Sequence, residues 1–439
     1  MLPRLLILLI AIGCMLAVGQ QELPGTGGAV HSIMVLGFLL IGGYCIGYMG
    51  EKLGLPRITG YIIAGLLLGP HGLGFIDRKA IVDLQFLNSL ALAFIAFCAG
   101  GELQLGNIRK QLISITGILA GNTVVILFGV TGIVLAASPL VPFLREQPFS
   151  VRLATAAIIG VISVARSPSS VIAVISETRA RGRLADTVLS VTIATDVVVI
   201  LLFGVVVSVC HSLFNPTDSV SAGLFLHLLF EILVTLALGF LLGRGIIVLI
   251  RNIGVELPVI IAATGFLVIK SCHLLGAYLS STYEVSLHLE PLLVCMAAGF
   301  TVQNFSSRGE TFLESLDRVS LPIYVGFFAV TGAMIDIDML RAGWLLGLLV
   351  FTVRGLMVWF GSLAGSVAAG DPPAVRNHVW LGFITQAGVS LGLVAEVVRR
   401  FPEVGLYLQS ILIAAITVNQ VIGPVLFKHA LRRTGEAKR

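Results

Sequence analysis

One carboxylate, Asp196, stands deep inside the otherwise apolar run "TVLSVTIATDVVVILLFGVVVSV" (187–209). An acid at the centre of a membrane helix costs roughly 2.5–3.5 kcal/mol on insertion scales, a large penalty for packing alone. Thr192 lies one turn earlier on the same helical face, and Thr195 is adjacent. Carboxylate and hydroxyl oxygens are hard ligands of the kind a small cation prefers. Burial raises the proton affinity of carboxylates in general, so the same oxygens can hold a proton instead. Competition between a proton and a metal ion for one acid is the minimal chemistry of antiport. The alternative is a structural aspartate paired with an arginine.

A second stretch, "ISVARSPSSVIAVI" (162–175), places an arginine, a proline and serines where hydrocarbon is expected. Pro168 removes a backbone donor and clashes with the carbonyl four residues earlier, which breaks or kinks a helix. Carbonyls freed in a membrane cannot face lipid and need protein, hydroxyls or a water-filled cavity. Ser163, Ser167, Ser169 and Ser170 supply hydroxyls there, either as ligands or as the means of healing a kink. Arg166 in the break and Arg354, in the apolar segment 343–369, must also be kept from lipid. Asp196 is the evident anionic partner for either arginine. Arg166 would otherwise cap the carbonyls of the first half-helix or take a cation's place.

The elements that must hold these groups are membrane helices. The chain has 439 residues, of which 57% are hydrophobic and 12% charged, with a mean hydropathy of +1.01. Soluble domains carry about 25% charged residues, so the expected class is an all-α polytopic membrane protein. About 13 transmembrane helices are expected, near 31–50, 58–75, 84–105, 112–137, 152–176, 187–210, 222–243, 257–277, 285–304, 320–339, 343–369, 378–397 and 406–427. Thirteen divides as six, one and six, which gives six-plus-six inverted repeats about a linking span, a recurrent transporter design. The broken span at 152–176 then requires a broken counterpart at 378–397. That segment reads "WLGFITQAGVSLGLVAEV", with Gln386 and Gly388 near its centre.

Lys and Arg fix the expected orientation. With the first span starting outside, seventeen fall in the inner loops and tail and seven in the outer loops. The C-terminus is therefore expected in the cytoplasm, with residues 429–439 as a short tail after a transmembrane domain at 31–428. Residues 1–19 read as a signal peptide or an extra N-terminal helix. The net charge of +5 belongs to this loop asymmetry; no basic stripe with interleaved aromatics points to nucleic acid. The six cysteines are scattered singly in apolar runs, which suits buried small hydrophobes rather than a zinc site or disulfides. No nucleophile–base–orienter set is visible, so neither an enzyme, nor a cofactor, nor a metal beyond a transported monovalent cation is expected.

Several stretches taken together resemble the monovalent cation:proton antiporters, the group of sodium/proton exchangers and Kef-type potassium/proton antiporters. They are "GLPRITGYIIAGLLLGPHGLG" (54–74), "FCAGGELQL" (97–105), "SPSSVIAVISETRARGRLADTVLSVTIATDVVVILLFG" (167–204), "GFFAVTGAMIDI" (326–337), "TQAGVSLGLVAEV" (385–397) and "VNQVIGPVLF" (418–427). The resemblance implies a homodimer of the inner membrane whose core domains move against a dimerisation domain. It implies two crossing broken helices, the essential acid at Asp196 and the basic partner at Arg354. Many relatives carry Asp-Asp, Asn-Asp or Gln-Asp where this chain has Thr195-Asp196, and some carry an acid before the proline where it has Arg166-Ser167. The regulatory domain usual in Kef-type proteins has no counterpart in this sequence.

The expected function is exchange of Na+ or K+ for protons by alternating access. Asp196, Thr195, Thr192, Ser163, Ser167 and Ser169 are the expected ligand or site-shaping groups. Arg354 and Arg166 are the electrostatic partners, and Pro168, Gln386 and Gly388 mark the broken helices. Membrane lipids surround the protein. The rival readings are an organic-anion transporter on the same scaffold, using the two arginines, and a non-transporting membrane sensor.

Overall fold

A long apolar chain can satisfy its backbone away from water only in helices or closed barrels, and this one takes the helical route. The computed structural model describes residues 28–214, 222–252, 257–283, 289–386 and 388–437, together with Ile10 and Gly13. The leader expected at 1–19 lies outside the described residues apart from those two, as do Lys438 and Arg439 of the tail. Among the described residues there is no β-strand. Fourteen helices carry the fold: α1 (Gly28–Lys52), α2 (Arg57–Leu68), α3 (Gln85–Glu102), α4 (Leu112–Ala137), α5 (Phe149–Val164), α6 (Pro168–Thr178) and α7 (Arg183–Phe214), followed by α8 (Ala222–Asn252), α9 (Leu257–Tyr283), α10 (Pro291–Phe305), α11 (Gly309–Ala333), α12 (Ile337–Ala368), α13 (Gly388–Arg400) and α14 (Pro402–Arg433). Among the described residues, helical segments overlap the expected spans. Seven stretches among the described residues are long and apolar enough to cross a membrane by length and composition; α2 and α10 are shorter apolar helices.

Two boundaries differ from the hydropathy reading. Helix α2 stops at Leu68 rather than near 75, because Leu73 N–H turns back to the Leu67 carbonyl at 2.7 Å and Gly74 N–H to Gly69 at 3.1 Å. Helix α11 begins at Gly309, well before the expected 320. Its first turns carry Glu310, Glu314, Asp317 and Arg318, which hide a helix from any reading that looks for apolar residues.

The chain forms two compact units. One comprises the residues up to Glu102, Ile172–Glu177 and Thr235–Ile337; the other comprises Leu103–Val171, Thr178–Val234 and from Asp338 onward. Each draws three expected spans from the first half of the chain and three from the second.

In the first unit, close approach through glycine sets the packing. A Cβ on Gly65 of α2 would strike the Ala329 carbonyl of α11, and one on Gly332 would strike the Ile62 carbonyl. Helices α3 and α10 repeat this contact with the halves exchanged: Gly299 abuts the Phe97 carbonyl and Gly100 the Met296 carbonyl. Both pairs run antiparallel with the same three-residue step, as an inverted repeat requires.

In the second unit, α4 and α12 also pack through glycine. A Cβ on Gly121 would lie 2.6 Å from the Gly361 carbonyl, and one on Gly117 would lie 2.9 Å from that of Gly365. Asn122 Nδ2 donates to Ser362 Oγ at 3.0 Å beside them, which pairs two buried polar groups of this seam. Among the described candidate spans, the stretch Phe149–Thr178 that contains α5 and the break is the most enclosed. Its most apolar window is 94% buried, against 28% for the stretch that includes α4. Its broken backbone therefore faces protein.

Candidate functional site

The first break is residues 165–167, between α5 and α6. Ala165 turns extended (φ −60°, ψ 148°), and its N–H closes on the Ile162 carbonyl at 3.2 Å. Pro168 opens α6, where its missing N–H costs nothing and its fixed φ is already helical. Ser167 is the N-cap: its Oγ accepts from Ser170 N–H at 3.2 Å and donates to Ser170 Oγ at 2.9 Å. Ser169 Oγ shares a hydrogen bond with Ser167 Oγ at 3.0 Å.

The second break lies at Ile384–Gln386, after a 3-10 turn at Val379–Phe383, and the helix is resumed by Gly388. No proline makes it. The second unit brings the two breaks together. Ser167 N–H donates to the Thr385 carbonyl at 3.2 Å. Gln386 Nε2 donates to the Ile162 carbonyl at 3.1 Å, and its Oε1 accepts from Asn419 Nδ2 at 2.8 Å.

Arg354 of α12 ties the crossing. The sequence offers Asp196 as its partner; the guanidinium instead makes five hydrogen bonds to oxygens of the breaks and of α14. Nε donates to the Ser163 carbonyl at 2.8 Å. Nη1 donates to the Ile384 carbonyl at 2.8 Å and to Asn419 Oδ1 at 3.3 Å. Nη2 donates to the Ala165 carbonyl at 3.2 Å and to the Phe383 carbonyl at 3.1 Å. A guanidinium has five N–H donors, so a side chain with 0% exposure is fully satisfied by four backbone carbonyls and one amide oxygen. The capping role open to Arg166 is filled by Arg354.

Arg166 is equally buried, at 1%, and its environment is different. Its guanidinium lies over the Phe383 ring, 4.0 Å from the centroid, and all three of its nitrogens lack a hydrogen-bond partner. Asp196 and Arg354 both lie within electrostatic reach of it. Asp196 itself is buried in α7. Thr195 Oγ1 donates back to the Val191 carbonyl and Ser163 Oγ to the Ile159 carbonyl, both at 2.7 Å. Each hydroxyl is thereby oriented with its lone pairs turned away from its own helix turn. Thr192 Oγ1 is buried and unpartnered. Phe383, Thr385 and Asn419 are the site neighbours that residue chemistry alone ranks low. The sequence signals among them are a threonine in the polar centre of the 378–397 segment and an amide inside the apolar run of α14.

A membrane-buried crossing of two interrupted helices, held by an arginine and flanked by an acid, calls for comparison with known proteins. A family model described as "Sodium/hydrogen exchanger, transmembrane" matches residues 33–431. The chain belongs to the sodium/hydrogen exchanger transmembrane family. Its fold is similar to that of the sodium proton antiporter MjNhaP1 from Methanocaldococcus jannaschii, which superimposes with a TM-score of 0.71 at 19% identity, over 93% of this chain and 99% of that one. A second structure of that antiporter, at pH 8, gives 0.66 at 17% identity over 93% and 100%. Among curated proteins, the "Probable Na(+)/H(+) antiporter GerT" of Bacillus cereus is 26% identical over 165 residues, 37% of this chain and 40% of that protein. The human "Transmembrane and coiled-coil domain-containing protein 3" is 35% identical over 101 residues, 23% of this chain and 14% of that protein. The chain thus spans well under two thirds of either curated relative. As a member of this exchanger family it is a multi-pass membrane protein.

Proposed function

We propose that this protein is a secondary antiporter that exchanges a monovalent cation, Na+ or K+, for protons by alternating access. The observation that carries the reading is the crossing itself, where two helix breaks are locked by Arg354 and Gln386 beside the buried Asp196. Membership of the exchanger family supports it. Protonated and cation-bound Asp196 are the two transport-competent states, while the bare carboxylate is costly to move through a low-dielectric barrier. Ser163 and Thr195, oriented by their back-bonds, and the unpartnered Thr192 are the oxygen donors for the cation. Ser167 and Ser169 shape the site by capping α6. Arg354 positions the breaks and offsets the charge of Asp196 through space. Residues 31–428 form the transporting domain and 429–439 the tail. The protein acts as a homodimer in the inner membrane with its C-terminus in the cytoplasm.

The test is purified protein in proteoliposomes with an imposed pH gradient and additions of Na+, K+ or Li+. Cation-dependent proton movement, lost in Asp196→Asn, is the expected result. Full exchange in that variant would sink the site assignment, and the absence of any cation response would sink the function.

A further inference from the structure

The arginine with no acceptor points to a second ligand. Stacking on Phe383 occupies one face of the Arg166 guanidinium, but the in-plane N–H groups are what carry its hydrogen-bonding demand. None of its three nitrogens meets an acceptor at 1% exposure, and a buried charge left without hydrogen bonds is strongly unfavourable. Other donors on the segments around the crossing are unpartnered too: Thr385 Oγ1 in the second break, Ser390 Oγ in α13, and Gln420 Nε2 beside Asn419. The Arg166 guanidinium and the Gln420 amide nitrogen are donors only, and the two hydroxyls can donate as well as accept. The charge count agrees, since among the described residues Arg354 and one acid, Asp196, act electrostatically on Arg166. A monovalent cation or a proton on Asp196 would take this buried cluster further from neutrality.

We propose that Arg166 holds a small monovalent anion, of the halide class, as a resident co-ion of the transport site. The guanidinium edge supplies the charge-assisted hydrogen bonds. With the anion in place the cluster of two arginines and one aspartate is neutral, so neither a cation nor a proton arriving at Asp196 meets a net positive charge. That role in transport rests on the antiport reading; the anion site itself rests on Arg166 and its neighbours.

The experiment is thermal unfolding of the full-length protein in detergent at fixed pH and ionic strength. N-methyl-D-glucamine is the only cation, so no alkali ion is present, and chloride replaces gluconate stepwise. The expected result is a saturable rise in melting temperature of about 2 °C or more, reproduced by bromide. Arg166→Gln should lose the rise, Arg166→Lys should need at least about threefold more chloride, since an ammonium lacks the planar fork, and Asp196→Asn should keep it. A flat chloride titration of the unmodified protein overturns the proposal whether or not the variants fold, as does an equal rise in Arg166→Gln. Loss of the rise in Asp196→Asn also overturns it. Proteoliposome exchange is scored separately. A flat titration with intact exchange removes the anion site alone, and a chloride response without cation exchange removes the antiport reading alone.

Discussion

At the residue scale the structure turns on one arginine whose five donors meet five oxygens. Removing Arg354 leaves the carbonyls of Ser163, Ala165, Phe383 and Ile384 and Asn419 Oδ1 short of a partner. A hydrogen bond to a charged group contributes about 1.5–3 kcal/mol, and orphaned buried acceptors are expensive. Arg354→Ala is therefore expected to destabilise by about 3 kcal/mol or more, read as a lower denaturation midpoint or a loss of folded protein. Arg354→Lys keeps the charge but has three donors for five oxygens, so it should fall between the two. Wild-type stability in Arg354→Ala would show that the breaks hold themselves. Asp196 was legible from the sequence because an acid in hydrocarbon is anomalous wherever it stands. Pro168 and its serines were legible because proline chemistry is local. The partners of Arg354 were not, since backbone carbonyls carry no residue signature and the Arg354–Ser163 pair spans 191 positions. The stacking of Arg166 on Phe383 was hidden for the same reason: a phenylalanine in an apolar run is unremarkable until the fold brings a cation to it.

At the element scale, the two breaks are made by different means, which decides how each could be read. Pro168 at N1 and Ser167 as N-cap announce the first. The second has no proline, and only its cluster of glycines and polar residues hinted at it. The 3-10 turn at Val379–Phe383 that leads into it has no distinctive residue. The glycine spacing in "GYIIAGLLLG" is of the small-residue kind that permits close helix contact, but nothing in it names α11 as the partner. That partner now gives a test. Gly65→Ala places a methyl against the Ala329 carbonyl, and Gly299→Ala does so against that of Phe97. Both oppose backbone, which cannot swing aside, so each should cost about 1–3 kcal/mol. Gly132→Ala in α4 meets nothing within 4 Å and should be neutral or stabilising by up to about 1 kcal/mol, the helix propensity difference. Denaturation midpoints of the three variants check the set. Equal behaviour of Gly65→Ala and Gly132→Ala would contradict the packing, and unequal behaviour of Gly65→Ala and Gly299→Ala would contradict the repeat.

At the scale of the whole molecule, the question is which ends of the helices face the cytoplasm. The loop asymmetry of seventeen Lys and Arg against seven is a strong bias, because basic residues near helix ends are retained on the cytoplasmic side. Lys79 precedes α3 in the loop assigned to the outside, and Lys110 follows it in the loop assigned to the inside. Both side chains are exposed, so a single helix separates two accessible positions of opposite predicted side. Cys45, Cys98, Cys210, Cys272 and Cys295 are free and buried, which keeps the native background low; Cys14→Ser removes the sixth. In that background Lys79→Cys should react with a membrane-impermeant maleimide on intact cells, and Lys110→Cys only after permeabilisation. The reverse pattern would invert the assigned orientation and put the tail outside. Labelling of both from one side would mean that α3 does not cross, and the six-plus-six count would then fail at its third element.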